Sequence, residues 1–358
     1  MKAKTICVGV DRGFGFTKYY SDIATGQIDS LVAPVTESRA KELAINNADD
    51  KRVIILKEEN NYYLVGPRVA DVEPEYAQRN LARGRDNTNE RILFMTALGL
   101  SSAASEYVKA YITTGLPTDE FEKNREEYKS IIKNGDKNYV FSLILGGKEF
   151  KKKIEIAAVS VENQPRGTIA TIIEQKLEEG ESWDEIRSRR FAVCDIGYNT
   201  TDSSVYVGKD IIGGGERVNF STTAMSKVID DAKTVLESKY NCKKSENDIL
   251  AALSTGTIKV RGKVVEVGED IKEVFEKNAE KLTEEMSSRW DQFFDVFDEI
   301  VLTGGAVANK AFAKVLKAKF SKKFDWDVSV MENPQLANAC GFYHIAATMR
   351  AKEEPDEE

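Results

Sequence analysis

The chain has 358 residues, 41% of them hydrophobic, enough for two domains with buried cores. Its 51 basic and 59 acidic residues leave a net charge of −8, which argues against direct nucleic-acid binding, where a basic excess releases counterions. Four scattered cysteines lack metal-ligand or redox spacing, and no apolar run is long enough to span a bilayer, so a cytoplasmic protein without membrane contact is expected.

The first strand is predicted at residues 5–11 (TICVGVD), and a second extended segment at 16–22 follows a glycine turn. After a polar stretch, residues 53–56 and 62–65 form a hairpin pattern. Asn89 is placed as the cap of a helix through about Ala104, on the apolar period of Ile92, Leu93, Met95, Thr96 and Leu100. Residues 109–117 read as a buried strand, and 139–145 with 153–161 as a β pair joined at Gly146 and Gly147. The basic cluster at 148–153 is assigned to an exposed strand face, and a helix is predicted over 168–180.

The second half repeats the plan. A strand at 191–197 turns into 202–207, and a glycine cluster follows at 213–215. Helices are predicted over 221–239 and 245–253, then a hairpin at 257–267 and a long helix over 271–294. A strand at 299–305, a helix to about Phe320, a short β run at 327–331 and a helix over 334–350 complete the chain. Strands interleaved with helices indicate an α/β protein. Residues 182–190 are the candidate boundary, and the acidic end (residues 353–358) is expected to be disordered. His344 falls on the last helix and reads as structural, as do Cys7 and Cys194 inside apolar strands.

The chemistry concentrates at two similar turns. The first runs Asp11, Arg12, Gly13, Phe14, Gly15, Phe16, Thr17, Lys18. It lacks the third glycine and the following helix of a dinucleotide fingerprint, and Lys18 is followed by tyrosines instead of the Ser/Thr of a Walker loop. What remains is a hairpin whose glycines let backbone N–H groups approach phosphate oxygens. Asp11 suits a hydrated Mg²⁺, and Lys18 supplies a point charge to the β- or γ-phosphate. The second turn carries Asp195, Gly197, Asn199, Thr200, Thr201 and Asp202, with the carboxylates available to a metal's water shell. A third element, Thr303, Gly304, Gly305 and Ala306, ends a strand in two glycines at a helix start, a shape for close approach to a nucleoside or α-phosphate.

Together these three elements resemble the two phosphate motifs and the adenosine motif of the actin, heat-shock-chaperone and sugar-kinase superfamily. The resemblance runs from Ile6 to about Met349. Within it, residues 62–70 (YYLVGPRVA), 113–117 (TTGLP) and 334–343 (PQLANACGFY) look most like bacterial ParM-type actins. The resemblance implies a two-lobed α/β fold, two related domains around a nucleotide cleft. Domain I would comprise residues 1–181 and 334–352, with a small insertion at about 31–85, and domain II residues 182–333. It implies ATP, with GTP left open, together with Mg²⁺ near Asp11, Asp195 and Asp202. The contacts would come from Gly13, Phe14, Gly15, Phe16, Lys18, Gly197, Asn199, Thr200, Thr201, Gly304, Gly305 and Ala306. Gln164 falls where the family places its water-orienting Glu or Gln, Glu162 is the fallback, and Asp195 is the other catalytic candidate.

On this resemblance the expected function is an ATPase that polymerises head-to-tail with itself, disassembles after hydrolysis, and segregates plasmid DNA through a DNA-binding adaptor. Two alternatives use the same fold. A sugar-type kinase would need a further catalytic carboxylate, for which Asp86 stands in a polar segment; a chaperone-like ATPase would need a substrate-binding domain after the ATPase lobes. Arg12, in a position where small or apolar residues are common in the family, has no assigned role.

Overall fold

The computed structural model describes residues 3–77, 88–213, 224–290 and 297–354. Asp86, Gly214, Gly215, the start of the helix expected at 221, the end of the one expected at 294, and residues 355–358 lie outside them.

The chain begins with strands β1 (Lys4–Arg12), β2 (Phe16–Ser21), β3 (Thr25–Asp29) and β4 (Val32–Val35). Helix α1 (Glu37–Asn46), hairpin β5 (Ile54–Glu58) and β6 (Asn61–Val65), and short α2 (Arg68–Val72) follow. Then come α3 (Thr88–Ser101), β7 (Tyr107–Leu116), α4 (Thr118–Ile132), β8 (Tyr139–Leu145), β9 (Lys148–Asn163) and α5 (Gln164–Glu178). The second half holds α6 (Trp183–Ile186), β10 (Arg190–Ile196), β11 (Thr201–Val207), β12 (Asp210–Gly213), α7 (Met225–Tyr240) and α8 (Glu246–Thr255). It continues with β13 (Thr257–Val260), β14 (Lys263–Glu266), α9 (Gly268–Trp290), β15 (Glu299–Thr303), α10 (Lys310–Phe324) and β16 (Val328–Val330), and α11 (Ala337–Glu353) closes the chain.

These elements form two compact units, Met1–Glu174 with Asn338–Glu358, and Gln175–Ala337. The first is built on a nine-stranded sheet of order β3-β2-β1-β7-β9-β8-β5-β6-β4. Its centre, β1, β7 and β9, is parallel, and β2 returns antiparallel along β1. The second unit repeats this arrangement in a sheet of order β12-β11-β10-β15-β16, where β10, β15 and β16 are parallel and β11 returns along β10. Ligands in α/β folds bind beyond the carboxyl ends of parallel strands. Asp11, Asp195 and Thr303 all stand at such ends.

Burial explains the strand pattern. β1 is buried from Ile6 to Arg12 and β10 from Phe191 to Ile196, the near-continuous apolar reading of strands covered on both faces. In the second unit Trp290 anchors an aromatic cluster with Phe297, Phe320 and Phe324 at centroid distances of 5.6, 6.1 and 5.5 Å. Its indole N–H is satisfied by Ser203 Oγ at 2.7 Å.

In the first unit the C-terminal helix lies directly on backbone. A Cβ at Gly9 of β1 would come within 2.0 Å of Ala339 O, and one at Gly341 within 1.7 Å of Gly167 O. Thr168 N–H and Oγ both donate to Asn338 Oδ1, at 3.0 and 2.8 Å, locking the same crossing of α5 and α11. Absent side chains thus set the helix position, which no apolar periodicity reveals.

Several boundaries differ from the sequence reading. The polar stretch after β2 contains β3, β4 and α1, the last capped by Thr36, whose side chain accepts from Arg39 N–H at 3.2 Å. β3 has only Ile28 buried because it is the sheet edge. Asn89 does not cap α3 but sits inside its first turn. α5 starts at Gln164 and not at 168, with Pro165 in the first turn where its missing N–H costs nothing. α10 is preceded by a 3₁₀ turn, Gly305–Ala308, and its cap is Asn309, whose side chain accepts from Ala311 and Phe312 N–H. The 148–153 cluster is exposed except at half-buried Phe150 and at Lys152, whose ammonium reaches Ala103 O and, at 3.0 Å, Ser105 O just past α3; burial pulls its pKa down to about 8. At the acidic end, Glu353 is still helical and Glu354 pairs with Lys109 at 2.6 Å.

The helix-on-backbone packing predicts that Gly341→Ala lowers the thermal midpoint by at least about 5 °C in circular dichroism melts. Gly268→Ala, where nothing stands within 4 Å of a new Cβ, is expected to leave it unchanged.

Candidate nucleotide site

The first tip is a tight hairpin. Asp11 stands opposite Lys18 and Arg12 opposite Thr17 in the β1–β2 register, and Gly13 N–H donates to Phe16 O at 3.0 Å. Directly opposed residues share a face of the sheet, so Asp11 and Lys18 meet: Lys18 Nζ donates to Asp11 Oδ2 at 2.8 Å. On its other oxygen Asp11 accepts from Gln164 Nε2 at 2.9 Å. Gln164 arrives there because β9 is parallel to β7 and β7 to β1, so the residue just past β9 stands near the carboxyl end of β1. Asp11 is only 2% exposed, and in that setting its two donors offset the cost of a buried charge. Gly13 is required by space: a Cβ would lie 2.9 Å from Phe16 O and 3.1 Å from Lys18 Nζ.

Arg12, one residue along the strand, points to the opposite face. Its Nη2 lies 2.7 Å from Glu90 Oε1, with both side chains largely buried. Glu90 is in the first turn of α3, where a carboxylate also complements the helix dipole. The residue that had no role in the sequence reading therefore ties the tip to α3. Ser30 fastens the same tip from another side: its hydroxyl donates to Gly13 O at 2.8 Å and its N–H to Gly15 O at 3.0 Å. Neither Glu90 nor Ser30 was singled out from sequence, since nothing local distinguishes them from other surface polar residues. Glu162 accepts from Ser160 Oγ at 2.6 Å and pairs with Arg166 at 3.4 Å, whereas Gln164 is the one joined to Asp11.

In the second unit Asp195 and Asp202 are directly opposed across β10 and β11. Gly197 N–H donates to Thr200 O at 2.8 Å, closing the hairpin over Tyr198 and Asn199, and Thr200 Oγ reaches Asp202 Oδ2 at 3.4 Å. The tip is seated on α7, since Met225 N–H donates to Gly197 O at 3.1 Å and Ser226 N–H to Tyr198 O at 2.7 Å. Thr201 is fully buried.

Gly304 follows β15 with φ +93°, a conformation glycine adopts without strain, and a Cβ there would fall 2.3 Å from Asp195 Oδ1. Gly304 N–H and Thr303 Oγ both donate to Pro334 O at 3.1 Å, and Thr303 stands beside Asp195 in the parallel β10–β15 register. Ala306 is fully buried in the core.

At the second tip a metal would meet the carboxylate oxygens of Asp195 and Asp202. Among the described residues no group of three or more His, Cys, Asp or Glu is disposed to hold a metal by itself. The Asp195–Asp202 pair fits a hydrated Mg²⁺, which takes one or two carboxylates and retains its waters.

Two α/β units, each with an acidic hairpin tip at the carboxyl end of a parallel strand, are the frame of an actin-like protein. Residues 9–167 match the family model for the N-terminal domain of actin-like proteins, and residues 193–318 that for the C-terminal domain of the archaeal MreB-like actin homologue. The chain belongs to the actin-like superfamily.

No curated protein sequence matches it. Among solved structures it is similar to a 15-stranded ParM filament from Clostridium botulinum, with a TM-score of 0.74 at 18% identity over 96% of this chain and 99% of that one. It is also similar to the archaeal actin homologue Ta0583 in complex with ADP (TM-score 0.69, 18% identity, 96% and 99% covered). Alp7A, an actin-like protein, matches at a TM-score of 0.72 and 13% identity over 98% of both chains. At these identities the likeness is one of fold.

The largely buried Arg12–Glu90 pair predicts that Arg12→Ala and Glu90→Ala each cost about 3 kcal/mol of stability, because each removes one partner of an ion pair held away from solvent. The double variant is expected to cost less than the two together by at least about 1 kcal/mol, read from urea unfolding.

Proposed function

We propose that this chain is an ATP-binding, filament-forming actin-like protein whose polymer is dismantled after ATP hydrolysis. The observation that carries the reading is the buried Asp11 carboxylate held between Lys18 and Gln164 at the carboxyl ends of parallel strands. Support comes from the structural likenesses: a ParM filament and an ADP-bound archaeal actin homologue share the fold.

In this proposal residues 13–16 are the phosphate-binding tip of the first unit; in the second, residues 197–201 are the phosphate-binding tip and Gly304 and Gly305 the nucleoside-binding turn. GTP remains the alternative nucleotide. Mg²⁺, when bound, neutralises phosphate oxygens, with Asp11, Asp195 and Asp202 as the carboxylates toward its water shell. Phosphoryl transfer to water needs positioning more than covalent chemistry. Gln164 suits that role, because donation from its Nε2 to Asp11 leaves its Oε1 to accept from the attacking water. Asp195, 8% exposed and against Gly304, is the second acidic group of the reaction.

Self-association is proposed as head-to-tail, the heterologous contact that propagates without closing. Plasmid DNA segregation through a DNA-binding adaptor, in the cytoplasm, fits the net charge of −8. Asp86, the carboxylate that the alternative kinase reading needs, lies outside the described residues.

With Mg-ATP, light scattering and negative-stain microscopy are expected to show filaments that decay as phosphate is released. A protein that stays monomeric at every nucleotide and salt concentration overturns the filament reading. Asp195→Ala is expected to abolish phosphate release, and Gln164→Ala to slow it about 100-fold while ATP still binds. Undiminished turnover in the Gln164 variant would transfer the water-orienting role to Glu162.

A further inference from the structure

We infer that Ser30 is a positioning residue for the first phosphate tip, acting through a hydroxyl relay that begins at Thr17. The inference rests on the nucleotide reading above and assigns it a part that no glycine motif contains.

Ser30 follows β3 and is 8% exposed; Thr17, on β2, is fully buried. Their hydroxyl oxygens are 3.0 Å apart. A serine hydroxyl has one proton, and that of Ser30 goes to Gly13 O at 2.8 Å. The bond between the two hydroxyls must then run from Thr17 to Ser30. Thr17 Oγ–H donates to Ser30 Oγ, Ser30 Oγ–H donates to Gly13 O, and Ser30 N–H donates to Gly15 O at 3.0 Å. Both glycine carbonyls of the tip are thereby drawn toward Ser30.

Peptide planarity converts this into a statement about donors. The peptide bonds are all trans among the described residues, so each N–H points opposite to the carbonyl of its own peptide plane. Holding Gly13 O and Gly15 O toward Ser30 turns the amide N–H groups of Phe14 and Phe16 to the other side. Amides aimed from a glycine turn are what an anionic phosphate oxygen requires. Glycine supplies the freedom for this geometry, and Ser30 removes the alternatives. Without the hydroxyl, the Gly13–Phe14 plane can rotate and a phosphate must select the competent orientation, which weakens its binding.

The test compares ADP with adenosine, since their affinity ratio reports phosphate recognition and a merely structural defect lowers both. Titration calorimetry on the full chain with Mg²⁺ is expected to show Ser30→Ala binding ADP about tenfold more weakly, with adenosine affinity within about twofold of wild type. Ser30→Thr, which keeps the hydroxyl, is expected to restore most of the ratio, and Thr17→Val to fall between. If Ser30→Ala does not fold, the ratios of Thr17→Val and Ser30→Thr decide. A wild-type ADP-to-adenosine ratio in Ser30→Ala, or in Thr17→Val where Ser30→Ala does not fold, overturns the inference alone. A wild-type chain that binds neither compound overturns the nucleotide reading, and the inference with it.

Discussion

A charge buried at the end of a strand sets the terms for the first unit. Asp11 is almost without solvent, so its carboxylate needs donors from the protein, and it has two: the cross-strand Lys18 and, from beyond β9, Gln164. Lys18 is delivered by hairpin register alone. Gln164 is delivered only if β1, β7 and β9 are parallel neighbours and α5 starts at the residue after β9. The sheet order, the helix start and the placement of an amide beside a carboxylate are therefore one constraint seen at three scales.

Around this point the tip is fastened on several sides. Arg12 binds Glu90 of α3, Ser30 binds the carbonyls of Gly13 and Gly15, and Lys18 lies against Gly13, leaving no room for a Cβ. The flexibility that glycine brings to a turn is thus offset by hydrogen bonds from outside it, the condition for a preorganised anion site. The second unit solves the same problem differently. Its tip carries Tyr198 and Asn199 in place of glycines and gains its rigidity from α7, whose first amides donate to Gly197 and Tyr198 carbonyls. Gly304 then takes the left-handed conformation that lets its chain pass against Asp195.

Much of this was legible in the residues because it is local. Strand, Asp-x-Gly, turn, strand is a short-range pattern, and both occurrences are hairpins followed by a parallel neighbour. Gln164 was placed on resemblance and not on any local signal, and its contact with Asp11 spans 153 residues of sequence. Three features were invisible for physical reasons. Lys152 sits in a run that looks like a solvated strand face, yet it turns inward to carbonyls beyond the end of α3. β3 has only Ile28 buried, too few for an alternation, and the buried stripe of α1 is short, Ala40, Leu43 and Ala44, two of them alanines. α5 starts four residues before the helix expected at 168, since proline is suited to a first helical turn and Gly167 is needed where Gly341 crosses it.

The sequence by itself determined the α/β class, the two glycine-bearing hairpins with their carboxylates, and the glycine pair after the last central strand, since each depends on residues within a dozen positions of one another. Only the tertiary structure decided what those carboxylates touch. Arg12 acquired its partner when α3 packed beside β1, Ser30 reached the tip when β3 paired with β2, and α11 found its seat where Gly9, Gly167 and Gly341 leave space. Such contacts join segments distant in the chain, and a side chain's partner across that distance is chosen by packing, for which a single sequence carries no local sign.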